Sequence, residues 1–433
     1  MRRNRKDTQP YTFKRQWGAE RRLSPLSVTH SKPSTRKIAF SRLAIVLTVL
    51  FWMVYIISVV IRQFFDGPHT FQFTMQAIGY VVVVTFLTFS ALMYLMARQG
   101  ALQRFSAHVR IPRAELDRHF SKSQPSITVL VPSYSEEPQV IRKTLLSAAL
   151  QEYPNIRVVL LLDDKPNPTK ADDIARLADT RALADEISNT LAEPRKRFLT
   201  ALTAFENRYH QKDHVAVKDT QKLAEEYAWA AQWLNNFANN EQIEDHVDVF
   251  FAEQVLRKLA NELQLVSDAL VASCQESALL PTTRILQLYR RLAWTFNAEL
   301  AIFERKKYAS LSHEANKAMN LNSYIGLMGG MYREEQTPDG PVLLPAETKR
   351  AATLTLPDSD FILTLDADSI LLGEYCLRLV YFLQQPGNER VAVTQTPYSS
   401  FRGARTRIER LAGATTDIQH ILHQGMTYYD ATF

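Results

Sequence analysis

Cysteine is almost missing from this sequence, and glycine is missing from one long stretch of it. Of 433 residues only Cys274 and Cys376 are cysteines, and neither lies in a disulfide-scaffold or metal-ligand spacing. That excludes a stapled secreted domain and a cysteine-held metal centre. Both read as reduced thiols in a reducing compartment. Between Lys170 and about Ser310 there is no glycine, and apolar residues recur at helical spacing, as in Leu183, Ile187 and Leu191 or Val255, Leu259, Leu263 and Leu270. The pattern predicts a large helical insertion over about 171–310, without a fixed repeat. Stripes of this kind are core contacts between neighbouring helices. Pro194 and Pro281 suit helix starts, where proline's missing N–H matters least.

Charge is absent from two further stretches, Leu43 to Ile61 and Ala77 to Ala97. Each is an apolar run of roughly 20 residues, the length a helix needs to cross a hydrocarbon core. A cleaved signal peptide does not fit the first, whose apolar core is too long and whose basic leader is too extended. The 51 basic residues exceed the 45 acidic ones by 51 − 45 = 6, and Arg2, Arg3, Arg5, Lys6, Lys14, Arg15, Arg21, Arg22, Lys32, Arg36 and Lys37 crowd the first segment. A nucleic-acid arm is one reading of that cluster. Orientation is the better one, because the cluster abuts a span. Arg98, Arg104, Arg110 and Arg113 follow the second span, so the positive-inside rule puts both ends of the helical hairpin in the cytoplasm. The expected location is the cell (inner) membrane, multi-pass, with no nucleic-acid partner.

Downstream, Ser126 to Val131 reads as a buried strand, Pro132-Ser-Tyr-Ser-Glu-Glu-Pro138 as the turn at its end, and Arg157 to Leu162 as a second strand after an intervening helix. This is a β-α-β unit, and it predicts an α/β fold. Its second strand ends in Asp163 and Asp164. A later run, Phe361 to Leu365, reads as a strand buried on both faces and ends in Asp366-Ala-Asp368. In extended chain, residues i and i+2 share a side, so Asp366 and Asp368 project together into the crevice beyond the strand's carboxyl end. Two carboxylates there can hold a hard divalent cation, which can in turn hold a diphosphate and neutralise it as it leaves. A second triplet, Asp358-Ser359-Asp360, precedes the strand instead of ending it.

The order strand, Pro-Ser-Tyr-x-Glu-Glu, helix, strand, Asp-Asp and later Asp-x-Asp resembles the membrane-bound family 2 glycosyltransferases, the group of cellulose, chitin and hyaluronan synthases. Three more pieces are similar to that family: Lys317-Ala-Met-Asn-Leu-Asn322, the strand-like Val391 to Pro397, and His423-Gln-Gly to Tyr428-Tyr-Asp-Ala-Thr-Phe433. The resemblance covers about 125–165 and 312–433. It implies a Rossmann-like nucleotide-diphospho-sugar transferase fold of the GT-A type and an inverting, metal-dependent transfer from a UDP-sugar to a growing polysaccharide. By the same resemblance Tyr134, Glu136, Asp163, Asp164, Lys317 and Asp366 bind substrate, with Asp163 or Asp164 on the uracil, Lys317 near the donor nucleotide and Asp366 near ribose and diphosphate. Asp366 and Asp368 would hold Mg²⁺ or Mn²⁺. Three departures stand out: Lys165-Pro166 replaces a glycine after Asp-Asp, Ser135 replaces an asparagine, and Met319 replaces a glycine.

The implied organisation is a basic cytoplasmic tail (1–42), a two-helix transmembrane hairpin (43–98), a linker (99–124) and a glycosyltransferase domain (125–433). The family's Thr-Glu-Asp motif, which carries the general base, and its Gln-x-x-Arg-Trp motif do not occur in the sequence. The base is therefore expected beyond Phe433, the domain is expected to be truncated, and the 433-residue chain is expected to be inactive alone. The insertion, about which the resemblance says nothing, is expected to act as a lid or as a docking surface for a protein partner. Two alternatives stay open: a transferase that moves one sugar onto a lipid carrier, and a non-catalytic membrane scaffold.

Overall fold

The computed structural model describes residues 32–68, 70–209, 214–396 and 398–430. The basic residues from Arg2 to Arg22, Pro397 and the last three residues of the resemblance lie outside the described residues. The described chain divides into two compact units.

One unit comprises the described residues up to Arg110 together with Glu244–Val247 and those from Gln395 on. Its helices are α1 (Thr35–Phe65), α2 (Phe71–Ala107) and, late in the chain, a helix over Arg407–Met426. Both α1 and α2 are long and apolar enough to cross a membrane. Ser34 and Thr70 cap their starts by accepting hydrogen bonds from the backbone of Lys37 and Phe73. Trp52 Nε1 donates to Thr85 Oγ1 at 3.2 Å and Gln63 Nε2 to Thr74 Oγ1 at 3.0 Å, so polar side chains pair between the two helices. Gly100 of α2 lies against Gly425 of the late helix, where a Cβ on Gly425 would overlap the Ala97 carbonyl. Only glycine allows so close an approach of two backbones.

The second unit, Ile111–Ile243 with Asp248–Thr394, holds the α/β structure. In chain order it contains α3 (Arg113–Lys122), β1 (Ser126–Ser133), α4 (Pro138–Ala149), β2 (Asn155–Leu162), α5 (Ala171–Tyr209) and α6 (Val217–Asn240). Next comes α7 (His246–Phe250), whose first residues belong to the other unit, and it runs through a π-helical segment into α8 (Lys258–Gln275). Then follow α9 (Thr282–Thr295), β3 (Glu299–Glu304), α10 (Lys317–Ile325), the antiparallel strands β4 (Met331–Thr337), β5 (Gly340–Pro345) and β6 (Leu354–Thr355), β7 (Phe361–Thr364) and α11 (Tyr375–Leu383). The late helix of the first unit is α12.

Four strands form one parallel sheet in the order β3-β2-β1-β7, with Val129 opposite Val158 on one side and Leu363 on the other. Alternation along β1 and β2 sends Ile127, Val129, Val158 and Leu160 into a core shared with α4 and the helical insertion. Leu130, Val159 and Leu161 go into a second core with Tyr324 of α10, Leu343 and Leu356. Fully burying an aliphatic side chain, as at Val129, Leu130, Val158 and Val159, stabilises the fold by about 1.5–3 kcal/mol.

Several expectations are corrected. The insertion ends earlier than 310, because Glu299–Glu304 is β3, a strand of the main sheet. Its apolar centre is only four residues long and follows helical stripes, so periodicity hid it. Pro194 starts no helix; it sits buried inside α5, whereas Pro281 does precede α9. The strand after Asp360 is not buried on both faces: Phe361 and Leu363 are half-buried and Ile362 and Thr364 exposed, and β7 lies at the edge of the sheet. The described residues of 391–397 form no strand. Most of 99–124, expected as a linker, is helical, and residues from Gln395 on group with the apolar helices and not with the sheet.

Candidate functional site

From β1 the chain winds one way through β2 to β3 and returns on the other flank as β7. The reversal opens a crevice beyond the carboxyl ends of β1 and β7, where open α/β sheets take ligands. Tyr134 and Glu136 follow β1, Asp163 and Asp164 follow β2, Arg305 and Lys306 follow β3, and Asp366 and Asp368 follow β7. Lys317 is the first residue of α10, capped by Asn316, whose side chain accepts from Ala318 N at 2.8 Å.

The two aspartates after β2 differ sharply. Asp163 is 5 % exposed and faces Arg305, which is fully buried. Arg305 Nε and Nη2 stand 2.8 and 2.7 Å from Asp163 Oδ1, and the same guanidinium donates to the carbonyls of Ser312 and Glu314. Lys306 Nζ donates to the Asp163 carbonyl at 2.5 Å. Asp163 is thus enclosed by cations. Asp164 instead lies toward the turn after β1, accepting from Ser135 N at 3.3 Å and Oγ at 3.4 Å, with Arg176 of α5 3.7 Å away.

Within that turn Ser135 has a φ of 59°, a left-handed conformation that a non-glycine residue adopts only when its surroundings hold it. Glu136 does the holding: its carboxylate accepts from Ser133 Oγ at 2.5 Å and from Tyr134 N. The Tyr134 ring is left 59 % exposed, with Lys306 Nζ 5.6 Å from its centroid.

Asp366 and Asp368 are both exposed and the intervening Ala367 is buried, the alternation their spacing predicts. Asp366 pairs with Lys317. The earlier triplet has another use: Asp360 Oδ2 accepts from Ser126 N at 2.7 Å and Oγ at 2.8 Å, pinning the start of β7 to β1. Those hydrogen bonds hold the Asp360 carboxyl below its usual range. Among the described residues no three His, Cys, Asp or Glu side chains gather as a metal cluster. Two exposed carboxylates with no nitrogen or sulfur donor suit a hard cation that takes its remaining ligands from water and phosphate oxygens.

Arg305, Lys306 and Arg176 were not found from sequence. The Arg305-Lys306-Lys307 run after Ala301-Ile-Phe303 was the available signal, a basic turn closing a short apolar strand.

The open parallel sheet thus carries a crevice with acidic residues at its switch point, the place where α/β folds of this kind take ligands. Residues 361–433 match the family described as Glycosyl transferase family group 2, a segment that begins at β7 and includes Asp366 and Asp368. That segment, and not the chain as a whole, is similar to the family 2 glycosyltransferases. No curated protein and no solved structure matches the chain.

Proposed function

We propose that this protein is a membrane-anchored glycosyltransferase of GT-A type that takes its sugar from a UDP-sugar and passes it, with inversion, to a growing polysaccharide. One observation carries the reading: Asp366 and Asp368 stand exposed at the end of the sheet's switch-point strand, inside the segment that matches the family. Asp366 and Asp368 would hold Mg²⁺ or Mn²⁺, which supplies positive charge against the leaving diphosphate. Lys317, beside Asp366, adds a second positive charge to the same place. Asp164 and the exposed Tyr134 ring face the uracil, the first as hydrogen-bond acceptor and the second as a flat apolar surface. Asp163 and Glu136 shape this edge from behind it, through Arg305 and the Ser135 turn. No residue of the chain is assigned as general base.

Membrane anchoring rests on α1 and α2, and their orientation on Arg98, Arg104, Arg110 and Arg113, which favour a cytoplasmic sheet unit. The test is UDP binding by the detergent-solubilised chain with and without Mn²⁺. Binding that Mn²⁺ strengthens, by an increment that Asp368→Ala abolishes, supports the reading; a metal-dependent increment left unchanged in Asp368→Ala overturns it.

A further inference from the structure

Beyond Leu365, whose N–H still donates to Leu130 O at 3.0 Å, the chain leaves the sheet and no strand holds it. Yet the backbone from Ala367 to Cys376 is not loose. Three buried polar side chains on one face of α4 grip it: Thr144, Ser147 and, just past the helix, Gln151, at intervals of three and four residues. Thr144 Oγ1 donates to Ala367 O at 2.6 Å. Ser147 Oγ accepts from Leu371 N at 3.0 Å and donates to Thr144 O at 2.8 Å. Gln151 Nε2 donates to Leu372 O at 3.0 Å, and its Oε1 accepts from Cys376 N at 3.4 Å. Thr144 and Ser147 have no exposed surface and Gln151 has 2 %.

Burying three such groups is favourable only where each is satisfied, and here each is satisfied by the loop that carries the two carboxylates. The bond to Ala367 is the informative one, because its carbonyl lies midway between Asp366 and Asp368. A backbone fixed at that point fixes the separation and direction of both side chains. On its other side α4 is itself held: Arg142 is bidentate to Glu241 at 3.0 Å, and Lys143 pairs with Asp248.

We infer that Thr144, Ser147 and Gln151 are positioning residues for the divalent-cation site, setting the geometry in which Asp366 and Asp368 meet a metal–diphosphate. The inference rests on the proposed reading of those carboxylates. Hydrogen bonds one layer behind metal ligands commonly change metal affinity by about tenfold to a hundredfold when removed.

The experiment is Mn²⁺-dependent UDP binding by the full chain carrying Thr144→Val, which keeps the shape and removes the donor, alongside Thr144→Ser, which keeps the donor. Thermal unfolding without metal is measured in parallel. The expected result is about tenfold or greater loss of Mn²⁺-dependent binding in Thr144→Val, unchanged metal-free UDP binding, and recovery in Thr144→Ser. An equal loss with and without Mn²⁺, or no loss, overturns the inference. If Thr144→Val does not fold, Ser147→Ala is read by the same criteria. A wild-type chain that shows no metal-dependent UDP binding overturns the reading of the site itself, a different failure from a wild type that binds and a Thr144→Val that binds equally well.

Discussion

Asp163 and Arg305 form an ion pair closed off from solvent, 2.7 Å apart, at the end of two adjacent strands. Removing one member leaves a buried charge without compensation, which destabilises a fold by about 3–5 kcal/mol. Arg305→Met should therefore lower the unfolding free energy by about that much, read by thermal or urea unfolding. Asp164→Asn, one residue from the pair, should leave stability nearly unchanged and weaken UDP binding. The contrast between these neighbours is the measurement: a stable Arg305→Met protein would refute the structural role of the pair.

Lys317 and Asp366 are both more than half exposed, so their pairing adds little to stability, on the order of 1 kcal/mol or less. Its removal should act on ligands in opposite senses. Lys317→Ala should tighten Mn²⁺ binding to the chain alone, because Asp366 loses its competitor, and weaken UDP binding, because the diphosphate loses a cation. Calorimetric titration of each ligand separately checks both signs.

Acid should unfold the sheet unit partly through Glu374. Burial alone would raise its carboxyl, but the Arg113 charge and hydrogen bonds from Arg113 and Arg378 outweigh burial and hold it down to about 2, from an ordinary 4.5. A depressed carboxyl contributes stability that is fully present above its unfolded value and is lost as pH falls through the folded one. Stability should thus decline between about pH 4.5 and 2, and Glu374→Gln should flatten that decline while lowering stability near neutrality. Unfolding midpoints across this range decide the matter.

Thiol labelling reads the orientation. Burial raises the Cys376 thiol to about 12, so it stays unreactive, while Cys274 is only partly covered. A membrane-impermeant maleimide should leave Cys274 unmodified in intact cells and modify it once the membrane is permeabilised. Labelling in intact cells would reverse the proposed topology.

β1, β2 and β7 were legible because each is a short run rich in apolar residues and ended by polar ones, and the shared exposure of Asp366 and Asp368 was legible because their spacing matches the pleat. The sequence did not reveal β3, whose brief Leu300-Ala-Ile-Phe303 centre carries too little pattern against the helical stripes before it. Nor could it separate Asp163 from Asp164. That distinction depends on Arg305, 142 residues away along the chain, and pattern within a short window does not report on such pairing. Thr144, Ser147 and Gln151 were invisible for the opposite reason: polar residues on a helix read as solvent-facing until the helix is seen to be covered.

The glycines of α2 lead unlike lives. Around Gly79 there is open space to 4 Å, while Gly100 is pressed against the carbonyl of Gly425. In related chains position 79 should drift freely among small and apolar residues. Positions 100 and 425 should be frozen, since neither can enlarge without driving α2 and α12 apart.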